Sequence, residues 1–129
     1  MNKGIFFLVW AIFLAASAQA GTLSSHLETQ LAYKNADEAV SVIVHMVEQA
    51  PIAELKADMR AGKATLKQRH TVIVSALQEA TRAQDDLLMD LSDRQRTGGV
   101  EGFTSYWISN LIVVQATPAE IMRIADRSD

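Results

Sequence analysis

The sequence predicts an α+β domain with helices on one face of an antiparallel sheet, and three observations lead there. β-branched residues crowd the run Val40–Val47, and an apolar stripe at 4-3-4-3 spacing extends from Leu66 to Leu91. Two strand-like runs flank Ser109-Asn110, and a Thr-Pro-Ala-Glu helix start follows them.

The elements follow in order along residues 21–129. Leu23, Leu27 and Leu31 recur every fourth residue and share one helical face, with Ser24 or Ser25 as cap and Glu28 as its capping-box partner. Asn35 to Glu38 ends that helix, which with its linker occupies 21–38 and leaves 39–129 as the main domain. In the first strand, Val40, Val42, Val44 and Met46 make a fully apolar face, while Ser41, Ile43, His45 and Val47 make a mixed one. Pro51 closes it, and 52–64 is a charged connection or a short irregular helix.

A long helix is expected over about 65–95, capped by Thr65 and stopped at Gly98-Gly99. Its stripe is Leu66, His70, Ile73, Leu77, Ala80, Gln84, Leu87 and Leu91. Residues 100–116 read as a hairpin with a two-residue turn at Ser109-Asn110, which sets Ile108 opposite Leu111, Tyr106 opposite Val113 and Thr104 opposite Gln115. The more apolar set, Phe103, Trp107, Ile112 and Val114, is assigned to the core. Thr117 then caps a short helix, with Pro118 at its first position, Glu120 reaching back to the cap, and Ile121, Ile124 and Ala125 facing inward. This is the order of a ferredoxin-like βαββαβ plait without its final strand, which would leave an unpaired edge on the first strand.

The first 20 residues stand apart. Lys3 precedes an apolar run from Ile5 to Ala16, and Ala18 and Ala20 place small residues at the −3 and −1 positions before Gly21. That is the layout of a secretory signal peptide, cleaved after Ala20. The run is well short of the roughly 20 residues that span a bilayer, so no stable membrane anchor is expected. The expected destination, past the inner membrane, is periplasmic or extracellular.

Composition narrows the function. The 129 residues carry a formal charge of −3, with no basic patch for nucleic acid. Cysteine is absent, which excludes disulfides, thiolate metal sites and a cysteine nucleophile. No HExxH motif or His/Asp cluster suggests a metal, and neither a cofactor nor a catalytic set is expected. His26, His45 and His70 have no placed serine partner; His45, on the mixed face, is the one histidine positioned to make docking pH-dependent.

Function is therefore expected on a surface. Ser41, Ile43, His45, Val47, Thr104, Tyr106, Ile108, Leu111, Val113 and Gln115 form a semi-apolar open face suited to a partner. Asn110, in the turn, is expected to cap a partner helix.

The strand VSVIVHM, the hairpin SYWISNLIVVQATPAEI and the closing IADRSD resemble the propeptide domains of bacterial subtilisin-like serine proteases. The most specific part is Tyr106-Trp107-Ile108-x-Asn110 running into Val114-x-Ala116-Thr117-Pro118-x-x-Ile121, and the likeness covers about 23–129. It implies an α/β plait that helps an attached protease domain fold, docks its sheet on surface helices of that domain, inhibits it temporarily through a tail in the cleft, and is cleaved away. The Asp-Ser/Thr-Gly, His-Gly-Thr and Gly-Thr-Ser-x-Ala motifs of the catalytic domain are absent, so the chain itself is not expected to be an enzyme. The resemblance also implies a final strand and tail after Asp129, which makes the chain the expected first part of a longer serine endopeptidase precursor. A free-standing periplasmic protease inhibitor and an exported adaptor without a protease partner are the alternatives.

Overall fold

The computed structural model describes residues 20–129, so the signal-peptide expectation, apart from Ala20 and Gly21 at its cleavage site, lies outside the described residues. The fold is α+β. Helix α1 (Ser25–Ala32) precedes strand β1 (Val40–His45), followed by α2 (Ile52–Ala61), α3 (Leu66–Thr81), α4 (Asp85–Thr97), β2 (Val100–Tyr106), β3 (Leu111–Ala116) and α5 (Pro118–Ala125). The three strands form one antiparallel sheet in the order β1-β3-β2. No helix among the described residues is long and apolar enough to cross a membrane.

The core lies between the sheet and the helices. Val40, Val42, Met46, Ile112, Val114 and Ala116 from the sheet meet Leu87, Leu91, Ile121 and Ile124 from α4 and α5. Leu23, Leu27 and Leu31 lay the stripe of α1 against it, as their spacing predicts. The cap of α1 is Ser24, whose hydroxyl accepts from Leu27 N at 3.3 Å.

Several expectations are corrected. The predicted long helix is two helices joined by a 3₁₀ turn at Arg82–Gln84. The tighter turn aims Gln84 inward, where it is fully buried. The stripe holds from Ile73 onward, but Leu66 is 84% exposed and His70 is exposed, because the first turns of α3 pack against α2 and not on the sheet. Thr65 and Gln68 form a complete capping box on α3. The box expected at α5 does not form: Thr117 stands at the cap and Pro118 at the first position, yet Thr117 makes no side-chain cap bond. Glu120 is drawn instead to Arg123 and Arg94, and Thr117 N donates to Gly99 O at 3.1 Å.

The hairpin register also differs. Tyr106 pairs with Leu111, and Thr104 with Val113. The connection is not a two-residue turn, because Trp107–Ser109 form a 3₁₀ turn and only Asn110 enters the left-handed region, at φ 41°. A tight two-residue turn of the I′ type needs both central residues there. The slip is two residues, so each side chain keeps its face. Trp107 leaves the strand and, at 41% exposed, is not a core residue. A bulge between Val100 and Gly102 changes the parity of β2 once, which lets Val100 reach the core while Thr104 and Tyr106 point the other way.

Candidate protein-docking face

The face of the sheet away from the helices is built from three cross-strand rows. Ser41, Gln115 and Gly102 make the first; Ile43, Val113 and Thr104 the second; His45, Leu111 and Tyr106 the third. The register thus brings eight of the predicted surface residues onto one plane. Ile108 and Val47 lie past the strand ends and flank the third row. Ile43 is 62% exposed, Tyr106 50% and Ile108 63%, while Leu111 and Val113 are half-buried between their neighbours. The patch runs from polar at the Ser41 end to apolar and aromatic at the Tyr106 end. Trp107, beside Tyr106 in the YWI run, is a further exposed aromatic at the hairpin end, where Thr81 Oγ1 donates to its carbonyl at 3.1 Å.

Asn110 does not belong to this surface. It is 2% exposed and spends its side chain inside the protein. Its Nδ2 donates to Ala80 O at 2.9 Å and to Glu48 O, and its Oδ1 accepts from Gln84 Nε2 at 2.7 Å. Its carbonyl accepts from Met46 N at 3.1 Å and from Gln49 Nε2 at 3.4 Å. Ser105 Oγ donates to Gln84 Oε1 and completes the network. Every polar atom of the Asn110 side chain is satisfied, so none remains to cap a partner helix. Asn110 acts as a latch that ties the exposed turn to the α3–α4 junction and to the chain leaving β1. Asparagine suits the position because it tolerates the left-handed backbone and carries both donor and acceptor.

His45 and Tyr106 share a row and stand two strands apart, about 10 Å between their backbones at the usual strand spacing. No group of three His, Cys, Asp or Glu among the described residues is placed to hold a metal ion.

At one edge of the face, β1 has among the described residues a strand neighbour on one side only. Met46 N donates to Asn110 O across to the β3 side, so backbone alternation turns the N–H groups of Ser41, Ile43 and His45 to the open edge. Beside that edge runs a groove of about 720 Å³ lined by Val42, Val44, Met46, Leu87, Ile121 and Ile124. Asp129 enters its end, its carbonyl accepting from Val47 N at 2.7 Å. Arg127 pairs with Asp129 and holds that side-chain carboxyl below the usual carboxylate range, against the opposing pull of partial burial.

The chain matches no family model, no curated protein and no solved structure. The fold and the face define a small α+β domain with an exposed, partly apolar sheet surface.

Proposed function

We propose that this chain is the N-terminal propeptide of a secreted subtilisin-like serine protease, acting as intramolecular chaperone and temporary inhibitor, with the open sheet face as its docking surface. The observation that carries the reading is Ile43, Tyr106 and Ile108, large side chains left exposed around the half-buried Leu111 on a sheet whose other face is packed against the helices. A domain that needed only its own core would gain nothing from them, whereas a partner surface would bury them. The likeness of the Tyr106–Ile121 run to propeptide domains names the partner class.

The finer fold reading is the ferredoxin-like plait without its last strand. The order β1-β3-β2, the helix after β3, the open edge of β1 and the apolar groove beside that edge support it.

The experiment is a titration of subtilisin with the protein, read by inhibition and by calorimetry. Binding is expected, and the double variant Tyr106→Lys/Ile108→Lys is expected to weaken it at least tenfold while leaving the circular dichroism spectrum unchanged. Equal affinity of the variant overturns the docking face. No association of the unaltered protein at 100 μM (roughly −5.5 kcal/mol or weaker) overturns the protease reading.

A further inference from the structure

The backbone at Gly21 is packed against the C-terminal end of α5. Gly21 N donates to Arg127 O at 2.9 Å, and a β-carbon at Gly21 would stand 3.0 Å from Ala125 O. Those carbonyls lie at the end of the helix where the peptide dipoles concentrate negative charge and where the last oxygens have no partner within the helix. The recess at this point is lined by Ala20, Asp86, Asp126, Arg127, Ser128 and Asp129. Three carboxylates against one guanidinium leave it net negative, and Arg127 is already paired with Asp129.

In the uncut chain the nitrogen of Gly21 is a neutral amide with one hydrogen to give. Cleavage after Ala20 hydrolyses the Ala20–Gly21 peptide bond with one water: the carboxylate leaves with Ala20 and the nitrogen becomes an α-ammonium with three donors. We propose that the end of α5 and the 126–129 segment are the acceptor site for this new terminus, so that removing the leader tightens the mature fold. The inference rests on the export reading and adds to it a structural consequence of processing. Glycine suits position 21 on both counts: its small residue follows the cut, and no side chain keeps the nitrogen from the helix carbonyls.

Capture matters because α1 is lightly held. It has no fully buried residue and reaches the core through Leu23, Leu27 and Leu31 alone. A terminus fixed on Arg127 anchors that helix four residues before it starts. The charged groups facing the site are Asp86 from α4 and Asp126, Arg127 and Asp129 from the C-terminal segment; His45 of β1 lines the adjoining groove.

The sign of the pH dependence follows. A cation stabilised by folding has its pKa raised in the folded state. Its contribution is complete below the value of a free α-amine, about 7.7–8.0, and is lost as pH rises through the folded value.

The test compares three proteins: the full chain, the chain beginning at Gly21 with a free amine, and the same chain with that amine acetylated. At pH 6 the free-amine chain is expected to melt about 3 °C above the acetylated one. The gap is expected to close by pH 10.5, and to shrink by about half in Asp126→Asn. Equal melting temperatures at pH 6 overturn capture, as does a gap that persists unchanged at pH 10.5. Mass measurement on the exported protein is a separate arm, and a terminus other than Gly21 overturns the processing step on its own. Full-chain protein that melts with or above the free-amine form also overturns the proposal.

Discussion

Two regions of the same sheet reverse the usual relation between polarity and burial. At the hairpin end, Asn110 and Gln84 withdraw from water into a hydrogen-bonded network that the exposed Ser105 closes at its rim, while a few residues away Ile43, Tyr106 and Ile108 stand exposed. Their difference teaches that burial here is decided by which groups find partners. An amide that meets a carbonyl donor-to-acceptor on every side loses little by leaving water. An isoleucine on the outer face of a sheet that no described element covers stays wet however apolar it is.

The strongest way to break the comparison is Asn110→Ala. It removes three side-chain bonds, leaves Gln84 and the Ala80 and Glu48 carbonyls without their partner, and puts alanine in the left-handed region. A loss of roughly 3–5 kcal/mol is expected from urea unfolding. A loss under about 1 kcal/mol would show that water replaces the latch and that the network is incidental.

Next comes a matched pair on the two faces. Ile112→Ala, at 0% exposure, is expected to cost about 3 kcal/mol, while Ile43→Ala costs under about 1 kcal/mol. Similar losses at both sites would mean that the outer face is covered in the folded chain.

The smallest effect sharpens the charged end of the β1 groove. The side-chain carboxyl of Asp129 has a lowered pKa in the folded state, chiefly from its bonds to Arg127. A lowered carboxyl contributes stability above its unfolded value, near 3.9, and loses it as pH falls through the folded value. Asp129→Asn should therefore cost about 0.5 kcal/mol at pH 7 and progressively less as pH falls through the folded value, read by thermal melts from pH 7 to pH 2. A constant difference between pH 7 and pH 2 would assign the effect to shape and not to charge.

Much of the fold was legible. The alternation in Val40–Met46, the leucine spacing of α1, Thr65 as a cap and Pro118 at a first helical position all survive, because each rests on a period or a local bond that neighbours in sequence complete. The errors are of another kind. An apolar period does not register a short 3₁₀ turn, so the stripe from Leu66 to Leu91 reads as one helix. Strand alternation carried past the end of β2 places Trp107 in the core. The local pattern sends Glu120 to its cap, and only the fold brings Arg94 and Arg123 close enough to draw it away.

The open sheet face divides the same way. Its membership could be read from alternate positions, and a two-residue error in register did not disturb it because the period of a strand is two. Asn110 could not be placed, since a turn asparagine looks the same whether it faces water or a carbonyl cage. By itself the sequence determined the periodic elements, the inward and outward faces of the strands, and the absence of cysteine chemistry. Only the tertiary structure decided where Asn110 and Gln84 go, how the hairpin closes, and that Gly21 lies against the end of α5. Those outcomes depend on partners 21 to 106 residues away along the chain, such as Ser105 for Gln84 and Arg127 for Gly21, and no local pattern encodes such partners.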